Sequence, residues 1–259
     1  MLEDARRLGK RFHRRAKPTF VSTGADLGCA NKSGNGKGFL MLTLYGCYRS
    51  RATRPLWALF ETGLPFTHEP VIQAYRLPDP AAPDAPVNTG SAEFLAVNPM
   101  GQIPAMVDGD LVLTESLAIT LHIARAAGGP ISPANTAETA LMEQWALFAT
   151  SAIEGPALDI TFTVTKGQDQ TPEGAALIAR SAEALRRPLA RLEAHLATHD
   201  WLVGGRFTAA DIMVEECTRY AQPHPTLLDE YPAVKAWIDR CQARPAFQKM
   251  WAGRLAEPA

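Results

Sequence analysis

Apolar and polar positions along this chain change rhythm once, near residue 128. Before that point short alternating runs, the period of a half-buried strand, are separated by helical stretches; beyond it apolar residues recur every three to four positions. Leu42-Thr-Leu-Tyr45 alternates and Gly46 ends it. Residues 51–62 predict a helix with Leu56, Leu59 and Phe60 inward and Gly63 as a left-handed cap. Residues 66–72 predict a second, parallel strand, closing a β-α-β unit. A Pro-rich loop over residues 77–90 leads to a short helix at 91–97. Residues 103–107 and 111–113 then read as a hairpin about a tight Asp108-Gly109 turn, followed by a helix at 116–125.

Gly128-Gly-Pro-Ile-Ser-Pro133 reads as a linker, and the rest as helices. Asn135 and Glu138 form a capping pair for a helix carrying Leu141, Trp145 and Phe148. Thr171-Pro172-Glu173 opens another with Ile178, Ala182, Leu185, Leu189, Leu192 and Leu196 on one face, and Pro188 inside that stripe predicts a kink. In Phe207-Thr-Ala-Ala-Asp-Ile212, Thr208 and Asp211 predict a capping box stapled by Phe207 and Ile212, whose loss would cost about 1–2 kcal/mol. A last helix is expected over residues 232–244, ending before Pro245.

The stretch Asn98-Pro-Met-Gly-Gln-Ile-Pro104 carries chemistry. Pro104 stands where a strand should begin and cannot donate a ladder hydrogen bond, so it belongs at a strand start or an edge. With a cis Ile103–Pro104 bond the main chain of Ile103 is free to pair with an extended peptide. About ten residues on, Thr114-Glu115-Ser116 opens a helix, putting a carboxylate, a hydroxyl and unpaired N–H groups where an anionic ligand group is favoured. Together the Asn-Pro-x-Gly-x-Ile-Pro frame and the Glu-Ser pair resemble the cytosolic glutathione transferases, and the Gly-Arg-Phe-Thr-Ala-Ala-Asp run over 205–211 is similar to that family's capping box. The resemblance covers residue 41 to the end. It implies a two-domain α+β/α architecture: a thioredoxin-like glutathione-binding domain over 41–127 and an all-helical domain over 134–259. It also implies glutathione as co-substrate, with Ile103 pairing through its main chain with the cysteinyl part and Glu115 and Ser116 holding the γ-glutamyl end, beside Gln102 and Pro104. The loop over 77–90 is longer than in the family, at the place where the glycine end would be held. A homodimer is a further implication.

Glutathione's thiol has a reference pKa of about 8.5, so a protein that activates it must stabilise the sulfur anion; a drop of about two units corresponds to roughly 2.7 kcal/mol. The candidates lie in Gly46-Cys-Tyr-Arg-Ser-Arg-Ala-Thr53. Ser50 leads as catalytic residue: a hydroxyl at a helix start donates to a thiolate, and capping the helix is a compatible second role. The family's serine-type classes keep a serine in this loop, and Arg-Ser-Arg-Ala resembles a bacterial, chi-like group. Tyr45 is the second candidate, since counted back from Gly63 it falls where tyrosine-type classes keep their phenol, and Arg51 falls where they keep an arginine near glutathione. Arg49 and Arg51 read either as attracting the tripeptide's carboxylates or as solvated loop charges. Cys47 with Ser50 makes a C-x-x-S spacing suited instead to glutathione-dependent thiol-disulfide exchange. The remaining alternative is a transferase-fold protein that binds or regulates without catalysis, which the Glu115-Ser116 pair argues against. His195 and His199 stand one helical turn apart and read as a solvated helix end rather than a metal site. The partners expected are therefore glutathione and a small electrophile bound near residues 143–165, with no metal.

Composition adds limits. With 259 residues, 46% of them apolar, and a net charge of -1, the chain suits one large or two small domains and gives no cause to expect a nucleic-acid partner. No apolar run approaches membrane-spanning length, and four cysteines without C-x-x-C spacing fit a reducing, cytoplasmic setting. Residues 1–40, basic at Arg6-Arg7, Lys10-Arg11 and Arg14-Arg15 and Gly-rich at 34–38, read as a disordered extension, with Met41 a candidate start.

Overall fold

Strand β1, Leu42–Tyr45, buries Leu42 and Leu44 and leaves Thr43 and Tyr45 half-buried, as its alternation requires. It lies at the centre of a four-stranded sheet of order β2-β1-β3-β4 in a computed structural model that describes residues 41–258. The basic stretch over residues 1–40 lies outside the described residues. β2, Phe66–Glu69, runs parallel to β1; β3, Ala105–Asp108, runs antiparallel to β1; and β4, Leu111–Thr114, runs antiparallel to β3. β2 stops three residues short of the expected end because Pro70 has no N–H for the ladder. β3 begins at Ala105 rather than residue 103, after a cis Ile103–Pro104 bond. The hairpin turn falls one residue later than expected: Asp108 pairs with Leu111, so Gly109 and Asp110 are the central residues. Only Gly109 takes a positive φ, of 61°, the φ pattern of a type II′ turn.

Helix α1, Thr53–Thr62, buries Leu56, Trp57 and Leu59, leaves Phe60 half-buried, and ends at Gly63 with φ 68°. Helix α2, Ala92–Leu95, anchors Phe94, and α3, Ser116–Ala127, follows β4 directly. This gives the β-α-β-α-β-β-α order of a thioredoxin-like half.

The second half is helical. α4, Thr136–Phe148, is capped by Asn135, whose Oδ1 accepts the Glu138 N–H at 2.9 Å. The expected reciprocal bond is absent: the Glu138 carboxylate accepts the Ala134 N–H at 2.9 Å and pairs with Arg206 at 2.6 Å. Trp145 faces the core, while Leu141, expected beside it, is exposed. α4 runs through a π-helical turn, Ala149–Glu154, into α5, Gly155–Thr165. α6, Pro172–Leu196, buries the predicted stripe from Ala182 to Leu196 and continues on both sides of Pro188. α7, Ala209–Thr218, is wholly buried and opens with the predicted Thr208–Asp211 box. α8, Pro232–Gln242, is followed by α9, Pro245–Ala256, which the sequence reading did not anticipate. Pro245 ends nothing further on: it sits at the first position of a new helix, where its missing N–H has no partner to lose. Trp57 of α1 packs on Phe207 and Phe247, ring centroids 5.7 and 5.0 Å away, which fixes α1 between the sheet and the helices. No helix among the described residues is long and apolar enough to cross a membrane.

Candidate functional site

Ser50 lies in the turn between β1 and α1, two residues ahead of Ala52, the residue that caps the helix. Its Oγ accepts the Ala52 N–H at 3.0 Å and donates to the Cys47 carbonyl at 2.6 Å. A hydroxyl that already accepts an amide hydrogen donates more strongly in turn, and the N-terminus of α1 turns the positive end of the helix dipole toward this loop. Ser50 is therefore a donor with one movable proton.

Across the cleft, the ladder pairs Ala105 with Thr114, so the residues before 105 and after 114 lie at one end of the hairpin. Ile103 presents a main-chain N–H and C=O that have no hydrogen-bond partner among the described residues. Ser116 opens α3, buried, its hydroxyl accepting from Arg54 at 2.9 Å. Glu115 is exposed and holds φ 67°. A non-glycine residue in that region is held there by its surroundings, and such outliers cluster where a ligand is gripped. Ser50, Arg51, Gln102, Ile103, Pro104, Glu115 and Ser116 all line one cleft of about 980 Å³.

The helical wall supplies residues that sequence reading missed. The π-turn, a local under-winding that recurs at functional sites, brings Glu154 to the cleft lining. There its Oε1 accepts from Arg54 at 2.6 Å and Arg51 at 2.5 Å. Burial works against the Glu154 charge, but the Arg54 guanidinium and the two hydrogen bonds outweigh it and hold its pKa below the usual range. Arg54 is fully buried, joining Ser116 to Glu154. A charged residue on an otherwise apolar face of α1 was the signal available for it. Arg254 and Glu257, at the end of α9, also reach the Ser50 loop: Glu257 accepts the main-chain N–H groups of Tyr48 and Arg49 at 2.9 and 2.6 Å.

The other candidates sit elsewhere. Tyr45 is not in the cleft lining: its ring packs on Phe94 with centroids 6.3 Å apart, and burial, then Glu69, raise its pKa. Cys47 is buried and also outside the lining, its thiol donating to Gln73 Oε1 at 3.3 Å. Burial, with Glu257 adding to it, pushes that thiol up to about 11, the wrong direction for a nucleophilic cysteine. Accordingly Cys47→Ser is expected to keep conjugating activity within about twofold, and the native thiol to resist iodoacetamide at neutral pH; rapid labelling with loss of activity would restore the cysteine mechanism. His195 and His199 stack at 4.5 Å, and His195 bonds the Trp201 carbonyl. Among the described residues no group of three or more His, Cys, Asp or Glu is arranged to hold a metal.

A cleft between a thioredoxin-like sheet and a helical bundle matches what comparison finds. Residues 48–126 match the glutathione S-transferase N-terminal domain and residues 153–245 its C-terminal domain. Glutathione S-transferase 3 of Zea mays is 37% identical over 220 residues, covering 80% of this chain and 92% of its own length. Glutathione S-transferase F13 of Arabidopsis thaliana is 33% identical over 64% of this chain and 78% of its own. Among solved structures, glutathione transferase F7 from Populus trichocarpa superposes with a TM-score of 0.69 at 31% identity, covering 82% of this chain and 99% of that one. The theta class enzyme of Xanthomonas axonopodis pv. citri, with glutathione bound, gives 0.67 at 31% identity over 80% and 95%. The Asn98–Pro104 frame and the Glu115-Ser116 helix start fall within the first matched range and the Thr208–Asp211 box within the second, and the chain belongs to the glutathione S-transferase family.

Proposed function

We propose that this protein is a serine-type glutathione transferase, in which Ser50 stabilises the glutathione thiolate for attack on a small electrophile. One observation carries the reading: the unpaired main chain of Ile103 shares a cleft with Glu115, Ser116 and the donor Ser50. The cysteinyl amide and carbonyl pair with Ile103 as an added strand would. The γ-glutamyl carboxylate takes the α3 N-terminus and the Ser116 hydroxyl, its ammonium takes the Glu115 carboxylate, and Gln102, Pro104 and Arg51 border the peptide. The thiol proton leaves to solvent, sulfur bonds to the electrophilic carbon, and the leaving group departs with its electron pair. Residues 41–127 form the glutathione-binding domain and 134–259 the helical one, in a cytoplasmic homodimer. The curated relatives named above are plant proteins, so the Arg49–Ala52 run does not by itself assign the chain to a bacterial, chi-like group.

Retention on immobilised glutathione and conjugation of a chlorodinitrobenzene test the reading. Ser116→Ala is expected to raise the KM for glutathione about tenfold with kcat within about threefold, because the hydroxyl serves binding rather than the reacting sulfur. Binding without turnover would favour a non-catalytic member; neither binding nor turnover would end the proposal.

A further inference from the structure

We propose that the helical side of the cleft carries a subsite for an anionic group, a carboxylate or sulfonate on the second substrate, held between Arg254 and Arg49. The inference rests on the transferase reading and adds the chemistry of the electrophile.

Both guanidiniums line the cleft, and neither has a carboxylate within salt-bridge distance among the described residues. Each is tethered only to a main-chain oxygen: Arg254 donates to the Tyr48 carbonyl at 2.9 Å and Arg49 to the Glu257 carbonyl at 2.9 Å. Glu257, beside the same loop, spends its carboxylate on the Tyr48 and Arg49 amides, with Arg76 4.0 Å away. Most other arginines around the cleft have a carboxylate partner, while Glu115 is left to the tripeptide's ammonium. Arg51 and Arg54 share Glu154, Arg219 is paired to Glu216 at 2.7 Å, and Glu143 to Arg125 at 2.6 Å.

Arg254 and Arg49 are thus two cations left over in a partly desolvated site. Burial, and the repulsion of Arg219 and Arg49, depress the Arg254 pKa, so the local field favours an incoming negative charge. Holding unpaired charge away from water is unfavourable, and an anion accepting charge-assisted hydrogen bonds from two forks relieves it. Arg254 rests over the Trp251 ring at 5.3 Å, which fixes its plane. Leu158, Phe162 and Tyr220 line the same cleft, and Thr161 bonds the Tyr220 carbonyl at 2.5 Å, joining that wall to the start of the Arg254 corner. An aromatic or aliphatic body against Phe162 with an acidic end toward Arg254 fits this surface.

Glutathione also has carboxylates, so the experiment separates the two sources. Conjugation of a neutral chlorodinitrobenzene is compared with that of the corresponding chlorodinitrobenzoate, each rate divided by its uncatalysed rate at the same pH. Wild type is expected to favour the benzoate by about tenfold or more in kcat/KM, less at high salt. Arg254→Gln should remove most of that preference, Arg49→Gln part of it, and Arg254→Lys less than Arg254→Gln, while in the two Arg254 variants the KM for glutathione with the neutral substrate stays within about twofold. Because both substrates are read in the same variant, a loosened loop cancels from the ratio. An unchanged ratio in Arg254→Gln overturns the subsite, as does a raised glutathione KM at constant ratio, which would assign the guanidinium to the tripeptide. Failure of wild type on the neutral substrate would instead remove the transferase reading, and this inference with it.

Discussion

Asp211→Ala is expected to cost about 3–5 kcal/mol of unfolding free energy, a large part of the 5–15 kcal/mol typical of a folded protein, read by urea titration. The side chain is wholly buried and saturated with donors. Oδ1 accepts the Leu202 N–H and the Trp237 indole N–H, both at 3.0 Å; Oδ2 accepts the Thr208 N–H at 2.8 Å and its hydroxyl at 3.1 Å. One carboxylate thereby ties the loop at residue 202, the start of α7 and the middle of α8. Alanine strands four donors where water cannot reach, which is why the loss exceeds the 1–2 kcal/mol of an ordinary cap. Asp211→Asn should fall between, since it keeps one acceptor and turns an amide N–H₂ toward donors.

The pH dependence has a definite sign. Burial outweighs the hydrogen bonds and pushes the Asp211 pKa up to about 6 from 3.8. Between those values the folded state binds the proton and the unfolded state does not, so this residue's contribution to stability rises as pH falls from 7 toward 4. The difference between wild type and Asp211→Ala should therefore widen by a few kcal/mol on acidification. A loss near 1 kcal/mol would show that the box is peripheral, and a difference that narrows in acid would show that its four donors hold the carboxylate ionised in the fold.

The parts legible in the sequence were those written in local chemistry. The cis Ile103–Pro104 bond, the Gly63 cap, the Thr208–Asp211 box and the α6 stripe from Ala182 to Leu196 each depend on a few neighbouring residues, and each stands where expected. What was not legible depends on chain segments far apart. Glu154 reaches Arg54 only because a π-turn shifts its phase, and no residue type encodes that shift. Glu257 meets the Ser50 loop across about two hundred positions of sequence. Leu141 matched the helical period yet is exposed, because the stripe of α4 is narrower than its apolar content. The same limit applied to the site: the motif named Ile103, Glu115 and Ser116, whereas choosing among Ser50, Tyr45 and Cys47 required knowing which faced the cleft.

Ser50→Ala is expected to lower kcat/KM for the neutral electrophile about 10²-fold near pH 6.5, with the KM for glutathione changed little. The hydroxyl proton, now on the Cys47 carbonyl at 2.6 Å, can turn to the sulfur while Oγ stays held by the Ala52 N–H at 3.0 Å, so donation needs little rearrangement. Removing it returns the bound thiol toward its reference pKa of about 8.5. The defect should therefore shrink as pH rises toward 9, where solvent deprotonates the thiol in either protein. A uniform loss at all pH values would point to misplacement rather than lost thiolate stabilisation. Tyr45→Phe is the internal control: its phenol lies against Phe94 outside the cleft lining, and full activity is expected. Should Tyr45→Phe carry the pH-dependent loss and Ser50→Ala none, the thiolate donor would be the phenol, and the geometry of the β1–α1 turn would have to change on binding to bring it there.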